Sequence, residues 1–258
     1  MNPESLESYS PKFLHLLENI TNKANVGSHL IYSQFRTLEG IGIFSLVLEA
    51  NGFVLFKLKR NSKQEFVLDI PIEQRQRKRM FALYTGTETT EEKEVLRNVF
   101  NGNWKGLSTP LQEELEAIHK DNMYGDIIKV FMITSSGAEG ISLKNVRYVH
   151  IMEPYWHPVR KEQVIGRARR ICSHDKLPEN ERNIKVFLYL MTFSEEQIKS
   201  QLSIGLKNND KSKYGNAKEK RPLTSDESLN EIMNMKENIT QNLLKAVKEA
   251  SMDCGIHI

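Results

Sequence analysis

The runs KVFMITSS (129–136), VRYVHIME (146–153) and IKVFLYLMTF (184–193) constrain the fold most. Each is a continuous apolar, β-branched and aromatic stretch, the pattern of a strand buried on both faces. SHLIYSQF (28–35) and MFALYTG (80–86) read as strands too. Helical patterns lie between them. Residues 10–20 carry apolar positions at helical spacing. TLEGIGIFSLVLEANGF (37–53) reads as a helix closing at Asn51-Gly52, and TETTEEKEVLRNVFNG (87–102) as a helix with Thr and Glu near its start. FVLFKL (53–58) and EFVLDI (65–70) suggest a hairpin around the polar turn Arg60–Lys63, and residues 103–125 a polar, partly helical insert. The alternation predicts an α/β fold with a mainly parallel central sheet flanked by helices. Such sheets bind ligands at the carboxyl ends of their strands. The polar turns Ser33-Gln34, Thr85-Gly86 and Ser135-Ser136-Gly137 fall there.

Bulk properties exclude more than they select. The chain has 258 residues, 39% apolar and 27% charged, with a net charge of +3. These are values of a globular protein, and the slight basicity permits a nucleic-acid partner without requiring one. The start MNPESLESYS is polar and acidic, unlike a signal peptide, and the apolar stretch IGIFSLVLEA is too short to span a bilayer. The expectation is no membrane, and a reducing compartment, since Cys172 and Cys254 have no metal-type spacing. No metal site is expected: His150 and His157 have no Cys, Asp or third His at ligand spacing. Residues 206–222 carry six basic and two acidic side chains and read as a linker. Ile232, Met235, Ile239, Leu243 and Ala246 then form one apolar stripe on a helix expected to dock on the domain.

HPVRKEQVIGRARRI (157–171) is the densest cluster of candidate chemistry. On a helix over 158–171, with Pro158 in the first turn, Gln163, Arg167 and Arg170 fall on one face. Val164, Ala168 and Ile171 fall on a second, which can pack on the sheet. Gly166 between them costs roughly 1 kcal/mol relative to Ala, which points to close approach of backbone or ligand. Two arginines in register suit phosphate oxygens, because the planar guanidinium donates bidentately and stays charged. Without further context they read as a solvated basic face. Trp156 reads as core, with a wall beside a nucleotide and a base-stacking platform as alternatives.

QVIGRARR (163–170) resembles motif VI of superfamily 2 helicases and translocases. GAEGISL (137–143) resembles motif V, and LIYSQF (30–35) motif IV of the remodelling type. YTGTETTEEKEVLRNVFN (84–101) resembles that group's Gly-Ser/Thr strand end and following helix, and YWHPVRK (155–161) its Trp-Asn-Pro block. The order is that of the family. Lys93, Lys161 and ICSH (171–174) depart from the remodellers and favour the branch found in large DNA viruses, the poxvirus early-transcription and nucleoside-triphosphatase type, whose ending the tail LTSDESLNEI…EASMDC (223–254) also resembles.

The resemblance implies a RecA-like domain over 25–193, preceded by a helical segment (1–24) and followed by a basic linker (194–222) and a helical extension (223–258). It implies ATP with Mg²⁺, held mainly by a partner lobe, because neither a G-x-x-x-x-G-K-[ST] loop nor a strand-ending Asp-Glu box is present. Arg170 would be the arginine finger, with Arg167 and Gln163 assisting. Gly137, Glu139 and Gly140 would contact nucleotide. Ser33, Gln34, Thr85, Gly86, Ser135 and Ser136 would contact a DNA or RNA backbone. The expected partners are nucleic acid, the N-terminal lobe and transcription machinery, inside a cell or packaged in a virion. The alternative is a non-catalytic scaffold of the same shape, binding nucleic acid or docking in a transcription complex.

Overall fold

A computed structural model describes residues 1–37, 40–75, 79–135, 140–199 and 223–251. They form two compact units: Met1–Met152 with Val164–Tyr189, and Glu153–Gln163 with Leu190–Ile258. The expected linker at 206–222 lies outside the described residues.

In the first unit, β1 (Ser28–Tyr32), β2 (Val54–Leu55), β5 (Met80–Tyr84), β6 (Ile128–Ile133), β7 (Val146–Ile151) and β8 (Lys185–Leu188) build one sheet in the order β2-β5-β6-β1-β7-β8. Every neighbouring pair is parallel. β1 is buried along its whole length, and β6 and β7 at all but one position each, which explains their unbroken apolar sequence. Successive residues feed two cores. Leu30, Tyr32, Phe131, Ile133, Val149 and Ile151 face one side, where α5 (Thr90–Phe100), α6 (Thr109–Glu116) and the end of α7 (Pro158–Ala168) pack. Ile31, Phe81, Val130 and Met132 face the other, against α1 (Pro3–Tyr9), α2 (Pro11–Thr21) and α3 (Ile41–Ala50). Each fully buried side chain of this size contributes roughly 1.5–3 kcal/mol. The N-terminal helices are thus part of this core, through Leu6, Phe13, Leu16, Leu17 and Ile20.

The expected hairpin between residues 53 and 70 is split. Val54 and Phe56 donate to Arg79 and Phe81 at the sheet edge, so β2 joins the main sheet. Only β3 (Leu58–Arg60) and β4 (Phe66–Leu68) pair antiparallel. The expected helix at 87–102 is α5, opened by a reciprocal capping box between Thr89 and Glu92.

A polar chain crosses the α1–α3 face of the sheet. Asn19 Nδ2 donates to Tyr189 Oη (3.0 Å), Tyr189 Oη is hydrogen-bonded to His150 Nδ1 (2.8 Å), and His150 Nε2 to His29 Nδ1 (2.9 Å). Both histidines are fully inaccessible to solvent. Burial lowers the pKa of His150 to about 3; burial, then the neighbouring His150, holds that of His29 well below the usual value.

In the second unit, the long helix Ser225–Ala250 begins with a Thr224–Glu227 capping box. Thr224 Oγ1 donates to the Met191 carbonyl, Lys161 Nζ reaches Glu237 (3.2 Å), and Lys236 Nζ sits 3.7 Å from the Trp156 ring centroid. One expectation is overturned here. Trp156 is 44% exposed rather than core, because its loop presents the ring to a lysine instead of the sheet. The stripe Met235–Ile239–Leu243 stays in solvent, with Ile239 67% exposed, so only the first part of this helix, around Glu227 and Met233, is buried.

The histidine pair makes stability acid-sensitive. Both pKa values are lowered on folding, so the unfolded chain binds more protons below pH ~6.5, and stability falls from there toward pH ~3. Between pH 7.5 and 5 the neutral His150 removes about 2 kcal/mol, and His29 acts in the same direction. His150→Gln should lower the urea midpoint at pH 7.5 and flatten its fall toward pH 5; an unaltered pH slope contradicts this assignment.

Candidate functional site

The candidate residues fall on opposite edges of the sheet. Ser33, Gln34, Thr85, Gly86 and Ser135 follow β1, β5 and β6 at the carboxyl rim. This rim is closed by cross-strand bonds: Thr134 Oγ1 donates to the Thr85 carbonyl (2.8 Å), and Ser33 N to that of Ile133 (3.2 Å). Arg167 and Arg170 lie at the far end. His174 Nε2 bonds the carbonyl of Val146 (2.7 Å), the first residue of β7, and Asn145 N donates to the Ser173 carbonyl (2.8 Å). The two edges are separated by the length of β7, about 20 Å for six residues. Ser136, Gly137 and Glu139 lie outside the described residues.

At the carboxyl rim, Ser33 is fully buried. Its hydroxyl donates to Phe35 O (3.1 Å) and accepts from Phe35 N (3.0 Å), so it shapes the loop rather than facing solvent. Gln34 is half-buried. A Cβ on Gly40 would sit 2.0 Å from the Phe35 carbonyl oxygen and 2.4 Å from Ser33 Oγ, so only glycine closes this loop onto α3. Thr85 is buried and Gly86 exposed, and both their amides are engaged by the Glu88 carboxylate at 2.9 Å. Burial raises the Glu88 pKa, but bonds from the Gly86, Glu88 and Thr85 amides and the Thr85 hydroxyl outweigh it, leaving the carboxyl below its usual range.

At the other edge, α7 stops at Ala168, three residues short of the expected end. Ser173 Oγ donates to the Ala168 carbonyl (2.9 Å), and Leu143 N to that of Arg167 (3.1 Å). These bonds satisfy terminal carbonyls that a continuing helix would have used. Arg170 therefore lies beyond the helix and is exposed. Ile171, expected on the packed face, is 96% exposed. Gln163 is exposed on α7. Arg167 is half-buried, and its Nε is fully covered with no hydrogen-bond partner among the described residues. Such a donor is costly to leave unmade. Among the described residues, nothing outside its own stretch of helix lies within 4 Å of a Cβ placed on Gly166, so none of them needs that glycine for close approach. Gly140, at φ +73°, adopts a left-handed conformation with open space around it.

His119, Asp121 and Asp126 bring three ligand-type atoms within 4.8 Å. Their atoms are used locally. His119 Nδ1 bonds Asp121 O (2.8 Å), Asp121 Oδ1 accepts from Met123 N, and Asp126 Oδ2 from Tyr124 N. The cluster is a turn cap. No helix of the described residues is long and apolar enough to cross a membrane.

Residues 62–172 match the family described as Helicase conserved C-terminal domain, spanning β4 to the segment after α7. The chain carries a superfamily 2 helicase C-terminal domain. A protein of Acanthamoeba polyphaga mimivirus named as an ATP-dependent RNA helicase is 35% identical over 185 residues, 72% of this chain and 26% of its own length. The African swine fever virus termination factor NPH-I homolog is 31% identical over 214 residues, 75% of this chain and 28% of its own. A second mimivirus protein named as an ATP-dependent RNA helicase is 29% identical over 247 residues, 96% of this chain and 24% of its own. The chain thus spans about a quarter of the length of these relatives.

Two glycines should respond oppositely. Gly40→Ala forces a backbone clash and should cost more than about 2 kcal/mol. Gly166→Ala, at a helical position with open space, should leave stability unchanged or raise it by up to ~1 kcal/mol. Thermal unfolding of the two variants checks both; equal losses contradict the geometry.

Proposed function

We propose that this chain is the second of two lobes of an ATP-dependent nucleic-acid helicase or translocase of a large DNA virus. The observation that carries the reading is the state of Arg167 and Arg170. Arg167 holds a covered Nε–H without an acceptor among the described residues, and Arg170 projects from a loop held in place by Ser173. An anionic group at this edge would attract both guanidinium groups. At Gly166, the residue before Arg167, the space around the backbone is open.

ATP with Mg²⁺, when bound, supplies a phosphoryl group for transfer. Arg170 would act as the finger on the terminal phosphate, with Arg167 beside it and Gln163 as an assisting polar contact. Gly137, Glu139 and Gly140 would line the same nucleotide. Guanidinium groups stabilise charge that spreads over the transferring phosphoryl oxygens, an effect of roughly 10³–10⁵ in rate. The carboxyl rim would take the nucleic-acid backbone through Gln34, Thr85, Gly86, Ser135 and Ser136, with Ser33 positioning the loop. Small hydroxyls and main-chain amides suit sequence-independent phosphate contacts. The names of the relatives, RNA helicases and a termination factor homolog, support nucleic acid and transcription machinery as partners. Location inside a cell or a virion belongs to the same reading.

In the parent protein, Arg170→Ala should reduce nucleic-acid-stimulated ATPase by about 10³-fold or more while nucleic-acid affinity changes little. The isolated chain should release phosphate at no measurable rate. Unchanged ATPase in the variant would favour a non-catalytic scaffold.

A further inference from the structure

The turn after β5 holds an anion of its own. Glu88 Oε2 accepts from Thr85 N and Gly86 N, both at 2.9 Å, and Oε1 accepts from Thr85 Oγ1 at 3.0 Å. Two successive amides and a hydroxyl converging on one group form a nest of the kind that binds phosphate and carboxylate alike. Gly86, at φ +124°, turns its amide into this nest. Thr85 is fixed from behind, since its carbonyl accepts from Thr134 Oγ1. The donors therefore stay in place whether or not Glu88 does. Helix α5 has its own cap, the Thr89–Glu92 box, and does not need Glu88.

A carboxylate and a phosphodiester share what this nest recognises: one negative charge on two acceptor oxygens. Glu88 is thus a resident stand-in for a backbone phosphate. We infer that the Thr85–Gly86 amides form a phosphodiester site gated by Glu88, whose carboxylate must swing out before a nucleic-acid strand can engage. The inference rests on the nucleic-acid reading above. Glu88 is tethered within the nest at high effective concentration, so a lone phosphate competes poorly. A strand with several contacts along the rim can displace it. The gate thereby selects polymer over free phosphate. Its depressed carboxyl pKa keeps Glu88 charged at neutral pH.

The test uses the 258-residue chain, a labelled oligo(dT) strand and inorganic phosphate. Glu88→Gln keeps one acceptor oxygen for the turn but removes the charge. Oligo(dT) affinity, read by fluorescence anisotropy, should rise about three- to tenfold, and the slope of log affinity against log salt should steepen by about 0.7, one added phosphate contact on a single strand. Inorganic phosphate should shift the Gly86 amide resonance of the variant saturably and leave that of the wild type in place. Glu88→Asp, charged but too short to span the nest, should behave likewise and carries the test if Gln disturbs folding. Affinity no tighter than wild type overturns the gate. A Gly86 amide that ignores phosphate in both variants overturns the anion site itself. If the amide responds but neither form binds oligo(dT) at low salt, the nucleic-acid reading fails with the nest intact, and the strand is not the gate's ligand.

Discussion

A parallel sheet covered on both faces leaves its polar chemistry nowhere to go but the two ends of its strands. β1, β6 and β7 satisfy their backbone groups through the ladder and fill both faces with apolar side chains. What remains polar is the carboxyl rim, with Thr85, Gly86 and Glu88, and the amino edge, where the end of α7 meets the segment before β7. The buried Asn19–Tyr189–His150–His29 chain is the exception. Its members are hydrogen-bonded to one another, and burial keeps both imidazoles neutral.

The two edges share no side chain among those described. The strap that serves the amino edge is main chain for the most part: Leu143 N to Arg167 O, Asn145 N to Ser173 O, and Asn101 Oδ1 accepting from Lys144 N. The first two tie the segment after Gly140 to the end of α7 and the residues beyond it, and the third ties it to the end of α5. A shift of either would be carried by the other, since the bonds run through backbone atoms that substitution does not remove.

The sheet was legible from sequence because double-sided burial writes an unmistakable apolar run. The capping box of α5 and the turn at Asn51 were legible because short-range hydrogen bonds set them. Three features were not. The end of α7 is decided by Ser173 Oγ reaching Ala168 O, a contact with no periodic signature, and Ile171 continued the apolar pattern into solvent. The 53–58 run divided because Phe56 found a partner in Phe81, distant in sequence. Trp156 looked like core from its residue type alone, and a lysine on its ring left it at the surface. The place of Thr85 and Gly86 at a strand end was expected. That Glu88 holds their amides was not, since a Glu two residues past a turn glycine reads equally as surface.

The long helix Ser225–Ala250 has a colloidal consequence. Ile239, Leu243, Leu244 and Val247 are each more than half exposed along one side of its second part. Water-ordering salts such as sulfate strengthen the attraction between such edges. The chain would then salt out at lower ammonium sulfate than its charge alone suggests, and the shared solubility limit would be set by four aliphatic side chains rather than by the fold they extend from.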